Sequence, residues 1–360
     1  MTIKQTSAEK INRKSQNSKS NNDFERQMLQ YGLPMPGDSP AEYLIKAEEP
    51  TSDQYGYYPD KRPLALHLDC GIVNIDKPAG PTSHEVSAWV KKILNLERTG
   101  HAGTLDPDVT GVLAVGLGRA TRVVNCVHTA GKEYVCIMRL HKVVGYERVV
   151  KTMNSFVGKI YQRPPLMSNV KRVLRVREIY YIQILEVKDN YVLFRVGCES
   201  GTYIRKLCYD IGELLFCGAQ MEDLRRTRTG FFLEDHTICT LQDLKDAYTI
   251  YKEERDERYL RALINPMERA VEHWKKIFIR DSAVDAIAHG ANLSVTGILK
   301  INKFIEKDDE VAIMTQKGEL VGIGKATMSA YRMMELNTSW AVITERVFMD
   351  RNVYPKWKKD

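Results

Sequence analysis
The 360-residue chain has no run of about 18 apolar residues, so nothing in it is expected to cross a membrane as a helix. Its first residues lack the apolar core of a secretory signal. Its seven cysteines form no C-x-x-C pair, which excludes the usual zinc spacing, and their odd number argues against a disulfide framework. Reduced thiols in an intracellular protein are the simplest account. No internal repeat is visible. Residues 1–24 have almost no apolar side chains and carry Lys4, Lys10, Arg13, Lys14 and Lys19 against Glu9. They read as a disordered basic tail, serving either solubility or as an arm that contacts a polyanion.

What is present suffices for more than one core. The hydrophobic fraction is 43 % and the length exceeds one ordinary domain. The net charge of +7 suits a polyanionic partner, though plain enzymes are often this basic. Residues 25–65 are rich in Pro, Gly and Tyr and should pack irregularly on another domain. Gly71–Asp76 alternates as a strand, and Thr82 and Glu85 have capping-box spacing ahead of a helix whose face would carry Val86, Trp89, Val90 and Ile93. Strands are expected over 112–117, 132–141 and 191–198. Short helices are expected near 120–126 and along Ile204, Leu207, Ile211 and Leu214. A charged helical stretch should span 241–272. Beyond it lies a β-rich unit with a helix from Asp281 to Gly290 and a hairpin turning at 316–319. Strands and helices without a regular βαβ rhythm predict an α+β fold with a mixed, largely antiparallel sheet.

The densest chemistry lies in Arg98-Thr99-Gly100-His101-Ala102-Gly103-Thr104-Leu105-Asp106-Pro107. Two glycines and a proline exclude a regular helix or strand interior. The run therefore reads as a tight loop presenting one carboxylate beside a histidine. The plain alternative is that Asp106 only caps the next turn. The loop resembles the catalytic loop of the TruB/dyskerin family of RNA pseudouridine synthases, whose core is Gly-His-x-Gly-Thr-Leu-Asp-Pro. The likeness extends from about residue 40 onward. It includes Asp76-Lys77-Pro78-Ala79-Gly80-Pro81, Lys132-Glu133-Tyr134, Gly201-Thr202-Tyr203-Ile204-Arg205 and Leu224 with Arg225-Arg226-Thr227-Arg228. The C-terminal unit resembles a PUA domain, through Asp281-Ser282-Ala283-Val284, His289-Gly290-Ala291 and Lys317-Gly318-Glu319-Leu320-Val321.

The resemblance implies an isomerase that breaks the ribose–N1 bond of uridine, turns the base and bonds the ribose to C5. Such a reaction needs neither metal nor redox cofactor, but does need an everted base. It implies Asp106 as the catalytic carboxylate, as nucleophile or as counter-charge to a cationic sugar. Arg205 would balance Asp106 in a nearly closed pocket, and Tyr134 would stack on the uracil and accept the C5 proton. Read plainly, Arg205 is a surface cation and Tyr134 a core aromatic. His101, Tyr203 and Leu224 are expected at the displaced nucleotide. Lys77 should brace the loop or meet a phosphate, and Arg225–Arg228 should either meet phosphates or be solvated. Residues 161–177, with Arg172, resemble a lid over RNA, with Asn169 where the family has a small residue.

The resemblance favours the dyskerin branch and an archaeal-type protein. That branch implies a box H/ACA guide RNA, rRNA and tRNA substrates, and three protein partners: a small zinc-ribbon-like protein, a glycine/arginine-rich-type β-barrel protein and a kink-turn-binding ribosomal-type protein. It implies a cytoplasmic location, nucleolar in a eukaryote, and no membrane. Two rival readings remain: a non-catalytic RNA-binding scaffold and a guide-independent tRNA modifier. The expected organisation is a tail (1–24), an N-terminal segment packing on the PUA domain (25–65), a catalytic domain (66–272), a PUA domain (273–350) and a C-terminal tail (351–360). Deleting residues from about 274 onward is expected to weaken guide-RNA binding more than it damages the catalytic fold.

Overall fold
The computed structural model describes residues 33–38, 40–164, 171 and 173–356. The basic tail, Asn169 and Arg172 lie outside these residues. Two mixed sheets organise the described chain. The larger runs in the order Ile238–Cys239, β2 (Gly71–Lys77), β4 (Thr110–Leu117), β9 (Ala219–Thr229), β5 (Lys132–Leu140), β8 (Tyr191–Cys198), β7 (Arg175–Lys188) and β6 (Gly158–Gln162). Short β3 (Thr99–His101) pairs with β4 on the loop side. Most neighbours are antiparallel, but β4 runs parallel to β9, with Gly111 opposite Arg226.

Strand composition follows burial. Ile72, Val73 and Ile75 of β2 and Val112, Leu113 and Val115 of β4 are all fully buried, because helices cover the far face of this part of the sheet. In β8 Val192, Phe194, Val196 and Cys198 line one core face, the alternation expected of a half-covered strand. Helix α1 (Ser83–Ile93) starts at the Thr82–Glu85 capping box. It buries Val86 and Val90 but leaves Trp89 exposed, so its apolar stripe is narrower than its sequence suggests. The segment 118–129 is a 3-10 turn followed by α2 (Val124–Thr129). Helix α3 (Ile204–Leu214) buries Ile204, Leu207 and Ile211, while Leu215 rather than Leu214 closes the stripe.

The helical stretch expected over 241–272 is broken. Helix α4 (Leu241–Glu254) stops where Arg255 turns left-handed, and a second short helix covers Arg258–Leu263. Ile264–Pro266 then pairs with β2. The smaller sheet runs β1 (Tyr43–Ile45), β11 (Ile298–Asn302), β10 (Lys275–Ile279), β12 (Glu310–Met314), β13 (Leu320–Ala326), β14 (Trp340–Val347) and Leu293–Ser294. Helix α5 (Asp281–Ala288) ends at Gly290, whose φ of 92° needs glycine.

The two sheets share a core. Ile72, Val112 and Ala114 pack in one cluster with Ala312, Met314, Leu320 and Phe348. The N-terminal segment straps both sheets. Its β1 extends the smaller one, while buried Asp38 accepts from Arg228 of β9 at 2.8 Å. The Lys317 ammonium donates to the Ser52 carbonyl at 2.8 Å, and Glu319 accepts from the Tyr57 amide at 3.0 Å. The C-terminal tail expected over 351–360 begins as core. Tyr354 is buried and donates to Glu319 at 2.6 Å, because that carboxylate needs partners in an apolar setting. Among the described residues no helix is long and apolar enough to cross a membrane.

Candidate active site
The acidic loop is built on strands and held by side chains from three directions. Contrary to the sequence expectation, its first part is a strand, because Thr99–His101 finds an open edge on β4. The tight turn follows, with Gly103 at a φ of 81°. Ser83 at the start of α1 accepts from the Leu105 amide at 2.9 Å and donates to its carbonyl at 3.2 Å. Lys77 is fully buried at the end of β2 and donates to the carbonyls of Pro78, Pro107 and Val109, each at 2.8 Å. The Gly80 amide donates to the Pro107 carbonyl at 3.0 Å. Fully buried Arg226, on β9, reaches the Gly103 carbonyl at 3.1 Å and the Val112 carbonyl at 2.7 Å. Asp106 is thus presented by a backbone that the rest of the domain fixes.

Arg205, in the first turn of α3, donates from Nη2 to Asp106 Oδ2 at 3.0 Å. Both side chains are more than 60 % exposed, so the pair lies in an open cleft rather than the nearly closed pocket expected. Helical spacing explains this: Ile204 and Leu207 turn into the core and Arg205, between them, turns outward. Tyr134 of β5 stands directly across the ladder from Arg226. A register shift between Glu133 and Tyr134 places it there. Its ring packs on the core cluster that contains Leu105, Ile204 and Leu224. Burial pushes the Tyr134 hydroxyl above its ordinary value, while Arg226 pulls it back down and Asp106 pushes it up. The carboxylate and the guanidinium meet directly, and the phenol packs on the cluster that contains Leu105, the residue before Asp106; the three come from separate parts of the chain.

Behind the loop lie bases whose protonation is suppressed. His101 is pushed down to about 4, first by burial and then by His84, Arg226 and His128. It meets His84 edge-on at 4.7 Å between ring centroids, and both of its ring nitrogens are buried with no hydrogen-bond partner among the described residues. Lys132 is pushed down to about 7 by burial and by Arg226. Its ammonium donates to the Val127, His128 and Ala130 carbonyls at the end of α2.

The remaining expected residues are distributed as follows. Tyr203 precedes α3, and its backbone exchanges two hydrogen bonds with the buried Gln162 side chain, at 3.0 and 3.2 Å. Gln162 thereby ties the end of β6 to the arginine-bearing helix, a link the sequence did not disclose. Leu224 is buried under the cleft. Lys77 has its three donors occupied within the loop, which leaves none for a phosphate. The cationic run of β9 is largely engaged inside the protein, with only Arg225 part exposed. Arg225 forks onto Asp76 at 3.0 Å, and Arg226 and Arg228 are buried. A run of arginines reads as surface in sequence, and only a central strand position reverses that. Arg172 lies outside the described residues. Among those residues no cluster of three or more His, Cys, Asp or Glu could hold a metal ion.

Family profiles match along most of the chain. They are a DKCLD (NUC011) domain over residues 36–87, the N-terminal domain of TruB family pseudouridylate synthases over 91–147 and 142–204, a tRNA pseudouridylate synthase B C-terminal domain over 205–272, and a PUA domain over 275–348. The chain is 56 % identical to a probable tRNA pseudouridine synthase B of Pyrococcus abyssi, covering 89 % of this chain and 97 % of that one. It is equally identical to the corresponding protein of Archaeoglobus fulgidus, over 88 % and 97 %. Among solved structures it resembles one from the archaeal box H/ACA sRNP Nop10-Cbf5 complex, with a TM-score of 0.83, 53 % identity and coverage of 88 % and 99 %. It also resembles a chain of an H/ACA RNP bound to a substrate RNA containing 2'-deoxyuridine, with a TM-score of 0.86, 51 % identity and coverage of 90 % and 100 %.

Proposed function
The chain belongs to the TruB family of pseudouridine synthases, and on that premise we propose that Asp106, Arg205 and Tyr134 form its catalytic centre for converting uridine to pseudouridine in RNA. The observation that carries this assignment is the 3.0 Å Arg205–Asp106 pair on a braced loop; it is supported by Tyr134 of β5 lying across the ladder from Arg226, which holds the same loop. In the reaction the C1'–N1 bond of the uridine breaks, the base turns, a C1'–C5 bond forms, C5 gives up its proton and N1 gains one. Asp106 meets the electron-poor sugar carbon as nucleophile or counter-charge. Arg205 keeps that carboxylate ionised when RNA closes the cleft and removes water. Tyr134 offers a face for stacking and an oxygen for the C5 proton. His101, Tyr203 and Leu224 border the everted nucleotide, and Arg172 grips RNA from the lid.

The partners follow from the same likeness. The substrates are rRNA chosen by a box H/ACA guide and the T-loop uridine of tRNA. The proteins that assemble on the chain are a small zinc-ribbon-like protein, a glycine/arginine-rich-type β-barrel protein and a kink-turn-binding ribosomal-type protein, in the cytoplasm of an archaeal cell. A Nop10-Cbf5 complex, a Cbf5-Nop10-Gar1 complex and a substrate-bound H/ACA RNP among its structural relatives support RNA and protein partners of this kind. The test replaces Asp106 by Asn. Pseudouridine formation on a uridine-containing tRNA should fall by at least about 1,000-fold, as for loss of a reacting group. RNA affinity should stay within about threefold, which is less than 1 kcal/mol. An active D106N protein would end the assignment.

A further inference from the structure
Arg226 stands out among the arginines of this chain. It is fully buried, and among the described residues no carboxylate lies within salt-bridge distance of it. Its near neighbours Arg225 and Arg228 each hold an acid, Asp76 and Asp38 respectively. Burying a guanidinium without an anion is costly, and stability alone would favour an apolar side chain there. The charged groups around it do not relieve the cost: His101, His128, Lys132 and Lys77 are all bases. What it touches is the reaction machinery. One side of the guanidinium holds the Gly103 carbonyl, three residues before Asp106, and the Val112 carbonyl of β4. Tyr134 is its direct partner across the β5–β9 ladder, and the guanidinium acts electrostatically on the Tyr134 phenol. Asp106 and the Cys198 thiol are the other titratable groups that act on that phenol.

We propose that Arg226 is a positioning residue for the isomerisation, a buried cation that locks the Asp106 loop and the Tyr134 hydroxyl into one arrangement. The fork of a guanidinium suits this task, because its donors lie in one plane and can serve two carbonyls and a phenol oxygen together. With a lone pair of that oxygen turned toward Arg226, the hydroxyl rotor can no longer swing freely, and the remaining lone pair and the proton are directed away from the cation. A lysine could supply the charge but not the fork, and a glutamine could reach one carbonyl but not supply the charge. The inference rests on the assignment of Tyr134 and Asp106 made above.

The test compares R226K, R226Q, Y134F and the double variant Y134F/R226Q in the full-length protein, using a tRNA transcript under single-turnover conditions. R226Q should slow the chemical step by about 100-fold, the size of an oriented acid–base contribution. Its RNA affinity should stay within about threefold. R226K should recover part of that rate. The double variant should be slower than Y134F by clearly less than the factor of about 100 that R226Q costs alone, because the part of the loss that runs through the phenol is already gone, and groups acting as one unit are not additive. A merely structural arginine would instead weaken RNA binding and rate together, and its loss would add in full to that of Y134F. Either result overturns the inference. If R226Q does not fold, R226K carries the decision: an unchanged rate would overturn the inference, and a slowed step at unchanged affinity would uphold it. An unimpaired Y134F overturns the Tyr134 assignment and the inference with it. A slowed Y134F beside an unimpaired R226Q overturns the inference alone.

Discussion
Lys77 shows how one side chain can fix a loop that has little regular structure of its own. Its ammonium is fully buried and satisfied by three carbonyls, two of them just after Asp106 in the chain. Replacing it with Met keeps the volume but leaves those carbonyls without a donor. K77M is expected to destabilise the protein by about 2–4 kcal/mol, read from the urea midpoint, and to lower activity because the loop loosens. Unchanged stability would mean that water can replace the ammonium. The histidines give a second test at this scale. His101 and His273 are each pushed down to about 4, chiefly by burial. In the unfolded chain they titrate near their ordinary value of 6.5. Between those two values the unfolded chain binds more protons, so stability rises with pH through that window and is lost on acidification below about 6.5. Going from pH 7 to 4.5 should cost on the order of 2 kcal/mol per ring. H273Q should show a shallower dependence, and an identical slope would remove His273 from the account. Sequence pointed to Asp106, Tyr134 and Arg205 as candidates because their motifs are local. It misread Arg226, because a cation's burial depends on the strands beside it.

Helix α3 carries Arg205, and its placement depends on a close approach that sequence cannot reveal. Gly212 lies inside this helix, and its carbonyl accepts from the amides of Cys217 and Gly218. A Cβ there would sit 2.2 Å from the Ala219 nitrogen and 2.5 Å from the Gly218 carbonyl carbon. Helix propensity alone predicts that G212A stabilises by about 1 kcal/mol. Packing predicts the reverse, because backbone atoms cannot move aside: a net loss of about 1–3 kcal/mol. A thermal melt decides between them, and a raised Tm would show that the turn into β9 can relax. The same logic explains why the expected 241–272 helix is broken. Its charged, helix-favouring residues run on past Glu254, but Ile264–Pro266 gains more by pairing with β2.

The whole molecule is one connected body, which changes what a domain deletion would report. Arg62 of the N-terminal segment forks onto Glu268 at 2.7 and 2.9 Å, and Glu268 also accepts from the Leu320 amide of β13 at 3.0 Å. Three regions far apart in sequence therefore meet on one buried carboxylate. E268A leaves Arg62 buried without its partner and should cost about 3–5 kcal/mol. Melting should then show two steps as the sheets uncouple, whereas a single transition at an unchanged Tm would refute the coupling. For the same reason, removing residues from 274 onward does more than strip an RNA-binding unit. It takes Ala312, Met314, Leu320 and Phe348 out of the core they share with β2 and β4. Damage to the catalytic fold is then expected alongside any loss of RNA affinity, contrary to what the sequence suggests.

From the sequence alone came the chemistry of the site and the α+β class. Each rests on local features: a motif of ten residues, a capping box, a period of two or of 3.6. Only the tertiary structure decided that Tyr134 lies across the ladder from Arg226, that Arg226 and Arg228 of β9 are internal, that the Asp106–Arg205 pair is open to solvent, and that the N-terminal segment and Tyr354 belong to a shared interior. Those outcomes depend on which strand lies next to which, and strand order is set by burial across the whole chain rather than by any single stretch of it.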